Sequence, residues 1–467
     1  MRHDDRVGEA CGVFGIYAPG SQVSTTIYFG LFALQHRGQE SAGIATSDGQ
    51  TVTVFKETGL VAQVFSEVDL ASLEGHIGIG HVRYSTTGSN SWENSQPVHH
   101  QIGNTSIALG HNGNLTNTGQ LATGTAGVTS DSALMLELIA AEVDDARSDG
   151  RGLELALHKV LPRFEGAFSL VVMDQGRLVG VRDPHGFRPL SLGRIAGGWV
   201  LSSETSAFDL VGATFVRDIE PGEMVIIDAG GVRSFHPFPT VASKLCVFEF
   251  VYFARPDSRL FGQTVFSARQ EMGRALAGEH PADADVVVPV PESGIPAAQG
   301  FSERSHIPYA DGLVKNRYVG RTFIEPTQML RDRGIRLKLN PIPSTFEGNR
   351  VVLVDDSIVR GSTTRQLVRM VRDAGATEVH LRISSPPYRW PCFYGMDTSD
   401  QTALLAARMT VDEITEYLEV DSLGYLSLPS LVAATGVEQG GFCTACLSGD
   451  YPTDVTHAGG KFVLEPT

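Results

Sequence analysis

Three groups of residues in this 467-residue chain have types and spacings suited to chemistry. The first is Cys11, which opens the segment Cys-Gly-Val-Phe-Gly-Ile. Once the ten residues before it are removed, a single residue carries both a thiol and an α-amine. Such an amine has an ordinary pKa of about 8 and is partly free base near neutrality, so it can take the proton from its own side chain. By itself, a cysteine at the start of a strand is more often a small buried hydrophobe. The second group follows the apolar run Val351-Val352-Leu353-Val354, which ends in Asp355 and Asp356 and continues Ser357-Ile358-Val359-Arg360-Gly361-Ser362-Thr363-Thr364. Open α/β sheets bind ligands at the carboxyl ends of parallel strands, and the free N–H groups and dipole of a helix opening at Ser362, Thr363 and Thr364 favour a phosphate. The third group is Cys246, Cys392, Cys443 and Cys446, the last two in a C-x-x-C. Four soft ligands suffice for tetrahedral zinc or an iron-sulfur cluster, and a C-x-x-C can also be a redox pair; spacing does not choose among them.

The elements that must position these groups change character along the chain. Up to about residue 235 the sequence is glycine-rich. Short apolar segments such as Ser169–Val172, Trp199–Ser202 and Met224–Ile227 are separated by Gly, Asn, Asp and Pro, which predicts many strands. Helical stretches near Ser132–Glu142 and Leu153–Leu161 argue for mixed sheets with packed helices rather than a pure sandwich. His236–Ser243, with Pro237 and Pro239, reads as a linker. Beyond it, continuous buried-type strands at Val286–Val290 and Val351–Val354 alternate with helices, as in a doubly wound parallel sheet. The helix after Gly361 keeps its apolar spacing through Leu367, Val368, Val371 and Ala374, and Gly375 closes it.

Three further segments bear on Cys11: Leu34-Gln35-His36-Arg37-Gly38-Gln39, Gly80-His81-Val82-Arg83-Tyr84-Ser85-Thr86-Thr87-Gly88 and Gly110-His111-Asn112-Gly113-Asn114-Leu115. With Cys11 they resemble the class II glutamine amidotransferase domain, an N-terminal nucleophile hydrolase. Attack on a glutamine carboxamide creates an oxyanion that needs preorganised donors. The resemblance assigns these to the Asn112 side chain and the Gly113 backbone N–H. It gives the substrate carboxylate to Arg83, whose planar guanidinium suits it, and the ammonium to Asp131, with Thr86 a further glutamine-binding residue. Relatives commonly follow Ser130-Asp131-Ser132 with an acidic residue, and Ala133 stands there instead.

The Asp355–Thr364 segment resembles the type I phosphoribosyltransferase signature. That resemblance gives the ribose hydroxyls and Mg2+ to Asp355 and Asp356, and the 5-phosphate to the loop Arg360, Gly361, Ser362, Thr363 and Thr364. Pro291-Glu292-Ser293-Gly294 resembles the pyrophosphate loop of the same family, with Glu292, Ser293 and Gly294 at the ligand and Ser293 also at the magnesium. Taken together, the chain resembles the amidophosphoribosyltransferase family. The cysteine contexts, Cys246 in Cys-Val-Phe-Glu-Phe-Val-Tyr-Phe-Ala-Arg-Pro-Asp-Ser and Cys392 in Tyr-Arg-Trp-Pro-Cys-Phe-Tyr-Gly-Met-Asp, resemble its branch with a 4Fe-4S cluster and a short propeptide.

The resemblance implies a propeptide over 1–10, a four-layer αββα glutaminase domain over 11–240, and a doubly wound α/β phosphoribosyltransferase domain over 241–467 that carries the cluster cysteines. It implies 5-phosphoribosylamine made from glutamine, water and phosphoribosyl pyrophosphate, with glutamate and pyrophosphate released, as the first committed step of de novo purine synthesis. Purine nucleotide inhibitors and a homotetramer are implied as well. The competing reading is a non-catalytic sensor of phosphoribosyl pyrophosphate, which would have no reason to keep Cys11, Arg83, Asn112, Gly113 and Asp131 together. Lys315–Lys338 carries seven basic residues, among them Lys315, Arg317 and Arg321, against Glu325 and Asp332. Such a field suits a diphosphate, and the segment is expected to act as a substrate-ordered loop.

Composition narrows the remaining classes. The formal net charge is −16, which disfavours nucleic acid and anionic membrane as partners. With 42% hydrophobic and 19% charged residues, the chain has the composition of an ordered globular protein. No apolar run reaches membrane-spanning length and the first ten residues are too polar for a signal core, so a cytoplasmic protein without a disulfide framework is expected.

Overall fold

The strands Gly12–Tyr17, Ile77–Arg83 and Gly166–Met173 are buried along their whole length. Each is covered on both faces, which is why apolar residues do not alternate with polar ones there. In the computed structural model, which describes residues 11–85, 87–123, 127–146, 152–316, 338–398, 400–437, 441–456, 458 and 463–464, these strands belong to two antiparallel sheets. The first has seven strands in the order Thr214–Asp218, Ser191–Ile195, Gly198–Ser202, Gly12–Tyr17, Ile77–Arg83, Ser41–Ser47, Val52–Thr58. The second has six, in the order Gly231–Phe235, Met224–Asp228, Leu178–Arg182, Gly166–Met173, Thr105–Leu115, Val98–Ile102.

Three packed cores separate four layers. Val13, Ile79, Val171 and Val225 meet between the sheets. Phe14, Ile16 and Val82 point the other way, onto the helix Ser24–Ala33 through Ile27 and Leu31. Leu109, Phe168 and Leu170 pack on the helices Asp131–Ala146 and Gly152–Val160. This is the αββα arrangement expected from the sequence. The helices start and end within a few residues of the stretches expected from the sequence pattern.

Val286–Pro289, Arg350–Asp355, Glu378–Ile383 and Ser422–Tyr425 form a further sheet, fully parallel, in that order. Its residues alternate between two apolar layers. Val287, Val352 and Val354 face the helices Val265–Glu279 and Ile295–Ser305. Val286, Val288, Val351 and Leu353 face Leu367, Val368 and Val371 of the helix Ser362–Asp373. Gly375 follows that helix at φ 103°, where a glycine ends it at little cost. No helix among the described residues is long and apolar enough to cross a membrane.

The two halves are joined by buried charge. Arg37 donates to Glu204 Oε1 at 2.6 Å and to Glu249 Oε2 and Oε1 at 3.0 and 2.8 Å, and Arg188 donates to Glu249 Oε1 at 3.2 Å. All four side chains are fully buried. Burial works against the Arg37 charge, but Glu249 and Glu204 more than offset it and its pKa rises. Burial likewise opposes the Glu204 carboxylate, and His36 and Arg37 outweigh it, so its pKa falls. Two cations thus balance two anions without water. Removing one partner of such a set leaves a charge stranded and costs roughly 3–5 kcal/mol. Arg37→Met should therefore bring the first denaturant-induced transition to a clearly lower midpoint, whereas an unchanged midpoint would show that the network is solvated.

Candidate functional site

Cys11 lies just before the strand Gly12–Tyr17 and lines a pocket with Arg83, Tyr84, His111, Gly113 and Asp131. Its thiol donates to the Tyr84 carbonyl at 3.3 Å, the Tyr84 N–H approaches the sulfur at 3.5 Å, and Arg37 Nε holds the Cys11 carbonyl at 3.0 Å. Burial pushes the thiol pKa up, while the Tyr84 N–H and Arg83 pull it down and Asp131 raises it. The sulfur therefore rests as a thiol and needs a base.

Arg83 ends the strand Ile77–Arg83 and is turned by the carbonyls of Ser89 and Thr87, each at 3.2 Å. Across the pocket, Asp131 opens the helix Asp131–Ala146 and accepts from the N–H groups of Leu115 and Ser132 at 3.2 and 2.8 Å. The pocket thus carries a guanidinium and a carboxylate as fixed opposite charges. Asn112 and Gly113 belong to the strand Thr105–Leu115. The Asn112 amide is fully buried, and neither its Nδ2 nor its Oδ1 has a partner among the described residues. An unmet buried polar group costs about 1–3 kcal/mol. Gly113 sits at φ 150°, and a Cβ there would lie 2.0 Å from the Ala167 carbonyl oxygen. Only glycine allows this strand to lie so close to its neighbour.

The pocket wall includes residues to which the sequence motifs give no role. Gln96 accepts from the His111 N–H at 2.7 Å, and Thr87, Ser130 and Ser132 complete the wall. Gln96 stands in no segment whose spacing marks it. Thr86, Arg317 and Arg321 lie outside the described residues, as does the 1–10 segment.

In the second half the strand Arg350–Asp355 delivers both carboxylates to its carboxyl end. Asp356 is nearly buried, accepts from Ser357 Oγ at 2.5 Å, and takes the Ser293 hydroxyl on its other oxygen. The two sequence-distant loops therefore meet at Asp356. Ser362, Thr363 and Thr364 form the first turn of the helix Ser362–Asp373, with Gly361 just before it. Gly294 precedes the helix Ile295–Ser305. Lys315 reaches Glu292 at 3.6 Å from a two-stranded ribbon, Leu313–Lys315 with Leu339–Pro341. Arg360 lies between Asp356 and Gly361 on the same loop.

The four remaining cysteines, from three separate stretches of the chain, lie near one another. Cys246 is registered directly against Cys443 in a short parallel pairing, and Cys446 starts one residue into the next helical turn, Ala445–Ser448. The Arg389 and Trp390 N–H groups both reach the Cys446 carbonyl at 3.0 Å, and the Tyr394 N–H reaches Cys392 Sγ at 3.4 Å. All four are buried and free of disulfides. Burial pushes the Cys246 thiol up to about 11, with Arg188 opposing and Glu249 and Cys392 adding to the rise. Cys446 is raised by burial and then by Cys392, Cys246 and Cys443. Among the described residues no group of three or more His, Cys, Asp or Glu side chains is disposed to hold a metal ion.

Both halves match family models. Residues 81–210 match the glutamine amidotransferase domain and residues 270–384 the phosphoribosyl transferase domain. An amidophosphoribosyltransferase of Mycobacterium bovis is 52% identical over 98% of this chain and 89% of its own length. The chain belongs to the amidophosphoribosyltransferase family. A Synechocystis amidophosphoribosyltransferase is likewise 52% identical, over 98% of this chain and 93% of its own. A solved glutamine phosphoribosylpyrophosphate amidotransferase from B. subtilis, complexed with ADP and GMP, superposes with a TM-score of 0.88 at 44% identity, covering 95% of this chain and 98% of that one. A structure described as the allosteric regulatory enzyme of purine biosynthesis gives 0.89 at 45% identity, covering 95% and 97%. The family membership makes this chain an enzyme, an amidophosphoribosyltransferase, and not the non-catalytic sensor.

A buried histidine next to the Cys11 pocket makes the fold's stability depend on pH. His81 is fully buried, with Nε2 against the His111 carbonyl at 2.9 Å and Nδ1 without a partner among the described residues. Burial pushes its pKa down to about 3, and Arg83 and His111 add to the fall against the hydrogen bond to His111. The unfolded chain takes up this proton below about pH 6.5, and the folded chain only near pH 3. Its share of stability is complete above the first value and drains as pH falls through that window, at roughly 1.4 kcal/mol per pH unit. Denaturant titrations between pH 6.5 and 4 should show a shallower loss for His81→Gln than for the parent. Parallel curves would mean that the folded protein accommodates the charge.

Proposed function

We propose that this amidophosphoribosyltransferase divides its reaction between the two sites, with Cys11 as the nucleophile of the first. The observation that carries this reading is the buried, unpartnered Asn112 amide on the strand whose next residue, Gly113, borders the pocket of Cys11. A donor left unmet in the resting protein is suited to charge that appears only during reaction. Arg83 and Asp131 take the α-carboxylate and α-ammonium of glutamine, with Thr86 beside them. Removal of residues 1–10 exposes the Cys11 α-amine, the base that the raised thiol requires. Thiolate attack on the side-chain carbonyl forms an oxyanion facing Asn112 and Gly113. Collapse releases ammonia and leaves a thioester, which water converts to glutamate and free thiol.

The second site binds phosphoribosyl pyrophosphate. Ser362, Thr363 and Thr364 offer first-turn N–H groups to the 5-phosphate, with Arg360 and Gly361 shaping the loop. Asp355 and Asp356 hold the ribose hydroxyls. Glu292, Ser293 and Gly294 border the diphosphate, as does Lys315 on the ribbon that leads into the segment with Arg317 and Arg321. Ammonia displaces pyrophosphate to give 5-phosphoribosylamine. Ser293, Asp355 and Asp356 would hold Mg2+, which neutralises leaving-group charge. Magnesium uses one or two carboxylates together with substrate phosphates and water, so a complete protein cage is not required.

The four cysteines would hold a 4Fe-4S cluster. They are buried and unbridged, Cys246 stands in register against Cys443, and four cysteine thiolates are the donor set such a cluster takes. The reaction transfers no electrons, so the cluster's contribution is to tie Cys246 at the domain junction to the C-terminal segment. Purine nucleotides as inhibitors, by analogy with the ADP and GMP complex of the relative, and a homotetrameric assembly belong to the same reading.

Cys11→Ser should lose glutamine-dependent synthesis and keep synthesis from added ammonia, while Asp356→Asn should depress both and leave basal glutaminase activity in place. Loss of a charged contact in a desolvated site commonly costs a few kcal/mol, or about a hundredfold in rate. Intact mass of the active parent should start at Cys11. Equal loss of both activities in Cys11→Ser would make that residue structural. Anaerobically purified protein should contain about four irons and four sulfides per chain, and stoichiometric zinc would overturn the cluster.

A further inference from the structure

The oxyanion strand does not stand free within its own domain. Asn114, one residue beyond Gly113, projects its amide across the domain boundary, where Nδ2 donates to the Phe393 carbonyl at 3.0 Å. The same group reaches the Leu115 carbonyl at 3.2 Å, and Oδ1 accepts from Thr87 Oγ1 at 2.5 Å. Thr87 in turn offers its carbonyl to Arg83 at 3.2 Å. One side chain thus joins the oxyanion strand, the loop that turns Arg83, and the segment that follows Cys392.

The acceptor-half segment is itself locked against the glutaminase half at each of the next two residues. Arg188 Nε and Nη2 donate to the Tyr394 carbonyl at 3.1 and 2.8 Å, and the Tyr394 ring stacks on Phe187 with centroids 4.3 Å apart. Gly395 lies at φ 102°, and a Cβ built there would be 3.2 Å from both Cα and C of Gly113 and 3.2 Å from Arg188 Nη2. The backbone that supplies the oxyanion donor therefore has the backbone of the other half pressed against it.

We propose that Asn114 and Gly395 are positioning residues, through which the segment after Cys392 sets the placement of the oxyanion donors at Asn112 and Gly113. The inference rests on the glutaminase reading above and adds that the geometry of that site is completed by the opposite half of the chain. It follows that glutamine chemistry depends on how residues 392–395 are seated, independently of the acceptor site itself. Neither Asn114 nor Gly395 touches the reacting atoms. Their effect is on where the donors stand as charge develops, so it belongs to kcat for glutamine rather than to nucleophile reactivity.

The test uses full-length holoenzyme carrying Asn114→Ala, the near-isosteric Asn114→Asp, Gly395→Ala, or Asn114→Ala with Gly395→Ala. Removing an oxyanion donor outright costs about 10²–10³ in kcat, so displacing one should lower glutamine-dependent kcat by about tenfold or more. Ammonia-dependent synthesis and the rate of Cys11 alkylation by iodoacetamide, read by mass spectrometry, should stay within about twofold. The double variant should lose less than the product of the single losses, because both changes act on one contact. A parallel fall in ammonia-dependent synthesis would assign the residues to folding and overturn the proposal. So would multiplicative losses, or a kcat within twofold of the parent in both Asn114 variants. If those variants are normal while Cys11→Ser still abolishes glutamine use, the brace is wrong and the glutaminase reading stands. Persistence of glutamine use in Cys11→Ser would remove both.

Discussion

The Arg37 guanidinium, buried between Glu204 and Glu249 and donating to the carbonyl of Cys11, is the constraint on which the rest of the arrangement turns. It is the point at which the backbone of Cys11, the residue Glu204 that follows the strand Gly198–Ser202, and the start of the second half are tied together. Glu249 belongs to the short helical segment Glu249–Phe253 at the domain junction. Arg269, from the helix Val265–Glu279, donates to the carbonyls of Phe250 within that segment and of Ala254 just after it. Cys11 is therefore linked to the scaffold of the acceptor half by fully buried, directional bonds. In a low-dielectric setting these bonds leave few alternative placements.

Apolar packing supports the same joint. Ala167 and Phe187, from the first half, share one core with the four cysteines, the helix Val265–Glu279 and the parallel strands. Domain interfaces within a chain are usually more polar and permit relative motion. Here the first-half residues and the second half are buried together, so the two sites are held in a fixed relation.

The acceptor site follows from the ordinary behaviour of parallel sheets. Strand alternation sends Val351 and Leu353 to one layer and Val352 and Val354 to the other, and the polar residues can begin only where the strand leaves both layers. Asp355 and Asp356 stand at that exit, and the Ser293 loop leaves the neighbouring strand at the same level. The two carboxylates thus stand together at the carboxyl end of the sheet, in a chain whose overall balance is strongly acidic.

Much of this was legible in the residues alone, and the physical reason is locality. Period and punctuation predicted the strands around Val286 and Val351, the helix from Ser362 to its closing Gly375, and the change of architecture after His236. Cys11, Arg83, Asn112, Gly113 and the Asp355–Asp356 pair stand in contiguous segments whose residue types already match a chemistry. Contacts between segments far apart in sequence left no such mark. Gln96 lines the glutaminase pocket because a β-sheet neighbour brings it against His111. Glu204 and Glu249 read as ordinary acids until burial beside Arg37 makes them indispensable partners. The register of Cys246 against Cys443 and the seating of Phe393 on Asn114 depend on chain segments some two hundred or more residues apart meeting in space. Residue type and spacing determined which chemistry this protein could perform, and only the tertiary structure decided which distant groups hold that chemistry in place, because packing and burial are properties of neighbours in space.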